Sequence, residues 1–338
     1  MIRQKLSGGK KMRKLVLGIM ATALAGCMFT GTAMADELLP GGGSNIIYII
    51  TPSTSNPFFN TEQVIGSAKA EELGYEVKCF SHDDDAAKQL EYFEAAITDK
   101  AAAIICDNAG ADASVEAVQK AYDAGIPTFL IDREINESGI AVSQIVADNA
   151  QGAAAIAEKW VEAMDYEGKY AELLGLESDT NCWVRSENYH AVIDEYDTLE
   201  MVAQQSANWD QTEAYEKTEA ILQANPEITG IICGNDTMAC GATQACIDAG
   251  RDDIKIIGLD GSDEAAAYIK DGKMVGTALQ QIAAITEMAV EQADDYLNGT
   301  APEEEKQLVD CIAITADNVD NLSAFVYTEG GAAETEAE

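Results

Sequence analysis

Residues 102–108 read Ala-Ala-Ile-Ile-Cys-Asp-Asn and residues 123–132 read Asp-Ala-Gly-Ile-Pro-Thr-Phe-Leu-Ile-Asp, with a helical pattern between them. The same order returns as Gly-Ile-Ile-Cys-Gly-Asn-Asp at residues 230–236, Asp-Ala-Gly at 248–250 and Ile-Lys-Ile-Ile-Gly-Leu-Asp at 254–260. Each copy reads strand, polar loop, helix, glycine turn, strand and acid. This repeat predicts two similar α/β domains.

The same alternation extends through the folded body, which we place at residues 45–328. Its segments with helical spacing include residues 61–73, 86–98 and 112–124. Short apolar runs lie between such segments and predict strands at 46–51, 77–81, 103–106, 128–131, 170–174, 201–203, 230–233, 254–258 and 276–279. Strands that alternate with helices predict parallel sheets covered on both faces, as in Rossmann-like three-layer domains.

The charge of the chain is unevenly distributed. The 338 residues include 21 Lys and Arg against 59 Asp and Glu, for a net charge of −38. Six of the bases precede the first acid, Asp36, so the remainder carries a net charge of −44. Such a surface repels phosphates and anionic lipids, which argues against a nucleic-acid partner and against a basic membrane-docking patch.

The amino terminus predicts a secretory signal peptide over residues 1–35, because an uncharged segment follows the basic run. Leu-Ala-Gly-Cys at residues 24–27 resembles a bacterial lipobox, with Cys27 as the lipidated residue. Ala-Met-Ala at residues 33–35 instead fits ordinary signal peptidase. Both cleavage sites remain open, and a retained membrane helix is the third interpretation.

Residues 36–44 look like a flexible lead-in and residues 329–338 like a disordered acidic tail. Besides Cys27, seven cysteines remain, an odd number that argues against a full disulfide framework. The chain has only two histidines, so we expect no zinc site and no cofactor.

Residues 51–59, Thr-Pro-Ser-Thr-Ser-Asn-Pro-Phe-Phe, follow the first strand and precede a helix. Asn56 can cap that helix. Phe58 and Phe59 are rings in a loop, and aromatic rings beside amides and charges suit a sugar, whose C–H faces and hydroxyls both need partners. The alternative is that both rings only fasten the helix to the sheet.

Further candidates follow later strands. Asp132 and Arg133 can accept from and donate to neighbouring hydroxyls, or form only a local ion pair. Arg185 is an isolated cation in an acidic chain, with either a binding role or a structural carboxylate partner. The loop entries Trp209-Asp210, Asn235-Asp236 and Asp260-Gly261 are candidates as well, with helix capping as the alternative for their acids.

Taken together, these motifs resemble the periplasmic sugar-binding proteins of ABC importers, in particular the ribose-binding-protein-like group. The matching segments are residues 55–59, 131–133, 146–149, 234–241 and 258–261, in the order and spacing of that family. The resemblance spans residues 45 to about 315. It implies the type I periplasmic binding fold, α/β with two lobes joined by three hinge crossings.

The resemblance also implies lobe boundaries and ligand contacts. The first lobe would comprise residues 45–147 and 281–310, and the second residues 148–280 and 311–328. Ligand contacts would fall on Asn56, Phe58, Phe59, Asp132, Arg133, Arg185, Trp209, Asn235, Asp260 and Gln280.

Three positions depart from the ribose-binding pattern: Pro52, Leu259 and Trp209. We expect them to reshape the pocket, so a pentose, a tetritol, a pentitol or another small polyol remains possible. By resemblance the protein is an exported monomer that passes its ligand to a membrane permease, either lipid-anchored or free. The rivals are a sugar sensor for a chemoreceptor or kinase, a secreted carbohydrate-active enzyme and the sensing core of a repressor.

Overall fold

The computed structural model describes residues 38–329. The proposed signal peptide with Cys27, and residues 330–338 of the proposed acidic tail, lie outside this range. Within it, no helix is both long and apolar enough to cross a membrane.

The first part of the chain contains β1 (Ile46–Thr51), α1 (Pro57–Glu72), β2 (Glu76–Ser81), α2 (Ala86–Thr98), β3 (Ala103–Cys106), α3 (Val115–Asp123), β4 (Thr128–Ile131) and β5 (Ser143–Ala147). The middle contains α4 (Asn149–Ala163), β6 (Gly168–Leu174), α5 (Thr180–Ile193), β7 (Leu199–Ser206), α6 (Gln211–Ala224), β8 (Ile228–Cys233), α7 (Asp236–Asp248), β9 (Lys255–Asp260), α8 (Asp263–Lys270) and β10 (Gly276–Leu279). The last part contains α9 (Ile282–Leu297), β11 (Lys306–Val309), β12 (Ile312–Thr315), a 3₁₀ turn (Val319–Asn321), β13 (Leu322–Ser323) and β14 (Val326–Tyr327).

Two six-stranded sheets form the two lobes. The first has the order β11-β5-β4-β3-β1-β2 and is parallel throughout. In it, Ile47 and Ile49 of β1 join the core on one face, and Tyr48 and Ile50 join the core on the other. Because successive strand residues point to opposite faces, such a strand must be covered by helices on both sides. The predicted α/β fold class is confirmed.

The second sheet has the order β12-β10-β9-β8-β6-β7, and its edge strand β12 runs antiparallel to β10. The predicted parallel arrangement therefore holds in this sheet except at the edge strand β12. Only Asp310 and Cys311 separate β11 from β12. With so short a connection, the chain enters the second sheet directly from the cleft. Strand β12 therefore runs away from the cleft, whereas the parallel strands of its sheet run toward it.

The chain passes between the sheets three times: from β5 to α4, from β10 to α9, and from β11 to β12. Glycines at the predicted helix ends have the left-handed backbone that those turns need, with φ of +91° at Gly74, +78° at Gly125 and +70° at Gly250.

The described part of the proposed flexible lead-in is held against the first lobe. The amides of Gly41, Gly42 and Ser44 donate to the carbonyls of Gly125, Ala101 and Lys100 at 2.8–3.0 Å. Repeated backbone hydrogen bonds of this kind order a chain end that its glycine content alone suggests is free.

The seven cysteines of the described range are all free thiols. Six are buried and Cys79 is exposed. Most of them are therefore small core residues, as their apolar surroundings predict.

Candidate functional site

The two lobes enclose a small cavity between the carboxyl ends of their strands. Its lining comprises Asn56, Phe58, Phe59, Asp132, Arg133, Asp179, Arg185, Trp209, Asn235, Asp260 and Gln280. The structure thus brings all ten residues named from the sequence together and adds Asp179.

The first lobe presents the amino-terminal end of α1. Asn56 caps this helix, and its side-chain oxygen accepts from the amide of Phe58 at 3.0 Å. Pro57 occupies the first helical position, where its missing N–H costs no hydrogen bond. The cap uses only the side-chain carbonyl oxygen of Asn56, so its NH₂ group remains available to a ligand. Asn56 can therefore cap the helix and line the cavity at the same time.

Phe58 and Phe59 belong to the core and also line the cavity. Their rings meet edge to face, with centroids 5.5 Å apart and an interplanar angle of 88°. The guanidinium carbon of Arg133 lies 5.2 Å from the centre of the Phe59 ring, in cation–π range. The two rings therefore fasten the helix to the sheet and also form an apolar wall of the cavity.

Arg133 is buried among four carboxylates. Its shortest nitrogen–oxygen distances are 2.7 Å to Asp84, 3.0 Å to Asp179, 3.4 Å to Asp107 and 3.9 Å to Asp132. Asp179 belongs to the second lobe, so this ion pair spans the cleft. The local Asp132–Arg133 pair considered from the sequence is the longest of the four contacts.

The amino-terminal end of α5 carries the other side of this contact. The Asp179 side chain caps α5 by accepting from the amide of Asn181 at 2.9 Å. The amide side chain of Asn181 donates to the carbonyl of Asp132 across the cleft at 3.1 Å. Nearby, the amide of Ala111 donates to the carbonyl of Ser178 at 3.3 Å. The segment 178–181 is therefore a polar bridge between the lobes.

Arg185 is buried two turns further along α5. Its Nε donates to Asn149 at 2.8 Å, and its Nη1 donates to the carbonyl of Gly234 at 3.0 Å and lies 3.5 Å from Asp260. Its guanidinium carbon lies 5.3 Å from the centre of the Trp209 ring. Both roles proposed for this cation from the sequence therefore coexist, since Arg185 lines the cavity and pairs with a carboxylate.

Trp209 follows β7 with a left-handed backbone, at φ +62°. Its ring is seated against two glycines. A Cβ added at Gly175 would lie 2.0 Å from the Trp209 ring, and one added at Gly234 would lie 2.8 Å from it. Only residues without a side chain leave room for the indole.

Asp260 and Gln280 close the base of the site. Gln280 donates to the Asp260 carboxylate at 2.9 Å. Asn235 lines the cavity and caps α7 by accepting from the amide of Met238 at 2.9 Å. The alternative of helix capping is confirmed for Asp210, which caps α6. It is wrong for Asp236 and Asp260, because Asn235 caps α7 and Ser262 caps α8. The Asp236 carboxylate instead accepts from the amides of Gly261 and Ser262.

Four polar atoms of the lining are buried and have no hydrogen-bond partner within residues 38–329. They are Asp132 Oδ1, Arg133 Nε, Trp209 Nε1 and Gln280 Oε1. Arg133 Nε has a carboxylate oxygen of Asp179 3.0 Å away, but not in hydrogen-bond geometry. Unpaired buried polar atoms cost free energy unless a ligand or solvent satisfies them. Two acceptors and two donors around a small cavity match a ligand that carries several hydroxyl groups.

Burial shifts the acids of this region toward the neutral form. It raises the pKa of Asp132 from 3.8 to about 6 and that of Asp260 well above its ordinary value. Behind the lining, burial likewise raises the pKa of Glu62 and of Asp107 well above the usual range. The two buried arginines therefore stabilise only part of this acid cluster in its charged form.

Pro52 and Leu259 are buried and lie outside the cavity lining. Of the three departures from the ribose-binding pattern, only Trp209 reshapes the cavity directly. Sequence reasoning missed Asp179, although an Asp at the start of the helix that carries Arg185 was the available signal.

The sequence profile of the periplasmic binding protein domain matches residues 47–301. The chain belongs to the periplasmic binding protein family. Among its relatives in this family, the D-apiose import binding protein of Actinobacillus succinogenes is 53% identical over 83% of this chain and 92% of its own. A ribose import binding protein of Bacillus subtilis is 30% identical over 86% of this chain and 94% of its own.

The same family accounts for the architecture. A periplasmic solute-binding protein of an ABC transporter from A. succinogenes, solved with bound D-allose, superimposes with a TM-score of 0.77. It is 28% identical, and the match covers 82% of this chain and 99% of that protein. The resemblance to ribose-binding-like proteins is confirmed. Family membership places the chain among exported, transport-associated binding proteins.

Proposed function

We propose that this protein captures D-apiose, a branched pentose, in the cavity between its lobes and delivers it to the permease of an ABC importer. The observation that carries the proposal is a cavity between the lobes whose wall combines aromatic rings, carboxylates and guanidinium groups. The relative named for D-apiose import supports the choice of sugar, because it is far more similar to this chain than the ribose-binding relative.

The lining matches the chemistry of a small sugar. Phe58, Phe59 and Trp209 offer apolar surfaces for its C–H groups. The carboxylates of Asp132 and Asp260 accept hydrogen bonds from hydroxyls, while Arg133 and Arg185 donate them. These groups come from both lobes, so the ligand contacts all of them only when the cleft is closed. Binding therefore favours the closed state by its differential affinity.

We further propose how the lobes are divided along the chain and how the protein is attached to the cell. The first lobe comprises residues 45–147 and 281–310, and the second residues 148–280 and 311–328. The protein acts as a monomer without cofactor or covalent chemistry, and lipidation of Cys27 anchors it to the outer face of the cell membrane.

Isothermal titration calorimetry tests the choice of sugar. The ligands are D-apiose, D-ribose, D-allose, myo-inositol and erythritol, each titrated into the exported chain. We expect D-apiose to bind at least about tenfold more tightly than any other, because each misplaced hydroxyl leaves a buried polar atom unpaired. Preference for another sugar would overturn the assignment to D-apiose, and no binding by any of them would overturn the sugar-binding function.

A companion measurement tests the absence of catalysis. D-Apiose released from the protein by mild denaturation after a day of incubation should be recovered chemically unchanged by NMR. A new product that forms in proportion to protein concentration would contradict a pure binding role.

A further inference from the structure

The carboxyl-terminal hairpin of the second lobe reaches across the cleft to the first lobe. Its strands β13 and β14 pair through Leu322 with Tyr327 and Ser323 with Val326, which leaves Ala324 and Phe325 as the turn. The Phe325 ring packs edge to face on Phe58, with centroids 5.6 Å apart at 85°. Phe58 belongs to α1 of the first lobe and lines the ligand cavity.

The hairpin is fastened to its own lobe. The amide of Ala324 donates to the carboxylate of Asp263, at the start of α8, at 2.8 Å. Lys270, at the end of α8, lies 3.3 Å from Asp320, just before the hairpin. The base of the hairpin therefore moves with the second lobe, while its tip contacts the first.

The two residues at the tip of the hairpin, Ala324 and Phe325, have a left-handed backbone that alanine and phenylalanine rarely adopt. Ala324 and Phe325 have φ of +49° and +61°, in the left-handed region that two-residue hairpin turns fill with Gly or Asn. A bulky side chain there is strained, and such strain persists only where surrounding contacts enforce it. Here Phe325 is only 5% exposed, and its ring lines the mouth of the cleft together with Phe58 and Phe59.

The contact between Phe325 and Phe58 is the first of a series of aromatic contacts that ends at Arg133, a residue of the cavity lining. Phe325 meets Phe58, Phe58 meets Phe59 edge to face, and Phe59 faces the guanidinium of Arg133. The Phe325–Phe58 contact joins one lobe to the other. An open cleft breaks that contact and leaves the remainder of the row intact.

We propose that Phe325 is a positioning residue for ligand binding: it holds Phe58 against the bound sugar and slows reopening of the cleft. This inference rests on the proposed sugar binding. Because the contact exists only in the closed state, its loss accelerates release and leaves capture by the open state unchanged.

Stopped-flow measurement of D-apiose binding and release by Phe325→Leu tests the proposal. We expect the dissociation rate constant to rise about two- to tenfold, the range expected for one edge-to-face aromatic pair. The association rate constant should stay within about twofold of wild type. Phe325→Gly, which relieves the strained turn, should accelerate release as well, although Gly favours that backbone. Wild-type dissociation rates in both variants would overturn the proposal.

Two further variants separate positioning from general stability. Phe80→Leu removes a ring that stacks on Tyr92 within the first lobe, at 4.7 Å and 24°, so its release rate should equal that of wild type. In a Phe58→Leu background, Phe325→Leu should add no further acceleration. An equal added effect in that background would contradict the proposed contact.

A ligand-independent measurement keeps the inference distinct from the proposed function. If the wild-type protein binds none of the sugars, the proposed function fails, and hydrogen exchange then decides the role of Phe325. The unliganded protein closes part of the time, and the contact between the two rings favours that closed state. In the unliganded protein, the amides of residues 58–62 should therefore exchange faster in Phe325→Leu than in wild type or Phe80→Leu. Equal exchange in all three proteins would overturn the positioning role.

Discussion

The position of the Trp209 ring requires a glycine at residue 175, because a Cβ added there would lie 2.0 Å from the ring. We expect Gly175→Ala to lower the free energy of unfolding by about 1–3 kcal/mol, as overpacking does, and to weaken D-apiose binding because the indole is displaced. Chemical denaturation and calorimetry measure the two effects.

The matched control for Gly175→Ala is a change of the partner ring. The atoms nearest the added Cβ are Cη2, Cζ2 and Cζ3 of Trp209, which belong to the second ring of the indole and are missing from phenylalanine. In a Trp209→Phe background, Gly175→Ala should therefore cost less. A full, additive cost there would show that the clash lies elsewhere.

Asp132 gives the site a pH dependence. Burial raises the pKa of Asp132 to about 6 in the closed cleft, and hydroxyl donors stabilise its ionised form, so a bound sugar lowers this pKa. Affinity for D-apiose should therefore rise with pH through about 6 and level off above 7, with a loss of about tenfold at pH 5. Calorimetry from pH 5 to 8 measures it.

Asp132→Asn is the control for this pH dependence. The variant should bind more weakly and lose the rise around pH 6. A wild-type affinity that falls with increasing pH would contradict an ionised Asp132 in the complex.

At the scale of elements, the start of α5 both caps a helix and bridges the lobes through Asp179 and Arg133. Asp179→Asn preserves the cap, since Asn caps as well as Asp, but removes the charge. Arg133 keeps three other carboxylates, so unliganded stability should change by less than about 1 kcal/mol. D-Apiose affinity should fall by about tenfold or more, because the lost ion pair exists only across the closed cleft.

Asp85→Asn is the matched control for Asp179→Asn. Asp85 also caps a helix, α2, but it is exposed and does not line the cavity. Its variant should bind D-apiose like wild type. Equal affinities for the two variants would show that the charge of Asp179 is unimportant to closure.

A contact between His190 of α5 and Glu172 of β6 predicts that the stability of the fold also depends on pH. A hydrogen bond to the buried Glu172, 3.0 Å away, is the main reason that the pKa of His190 rises from 6.5 to about 9. Because the folded value is the higher one, this stabilisation is complete below about pH 6.5 and disappears as the pH rises through 9. Thermal unfolding from pH 6 to 10 should show the decline, and His190→Gln should flatten it. An equally steep decline in the variant would assign the effect to other groups.

At the scale of the whole molecule, two lobes joined by three chain crossings can change their separation without changing their cores. Small-angle X-ray scattering should therefore show a smaller radius of gyration in saturating D-apiose than in its absence. Far-ultraviolet circular dichroism should remain unchanged. A radius that does not respond to a ligand shown to bind would contradict closure of the cleft on the sugar.

Local patterns were sufficient for much of the structure. The strand periodicity and the glycines at helix ends identified two α/β lobes. The ten site residues named from the sequence came through the resemblance to sugar-binding proteins, and the eleventh lining residue, Asp179, was missed. The local patterns did not reveal β5, β11 or β12. Residues 143–147 and 306–315 contain only short apolar runs beside polar residues, and strands of this kind depend on their neighbours in the sheet rather than on local propensity.

Helix and strand periods, caps and turn glycines act over a few residues, so the order of the amino acids was sufficient to predict the class of the fold. The residues of the site came through the family resemblance. Tertiary structure alone decided how the site closes. Asp179 meets Arg133, Phe325 meets Phe58, and β12 runs against its sheet only because the second lobe faces the first. Those contacts join residues far apart in the chain, and no local pattern encodes their separation in space.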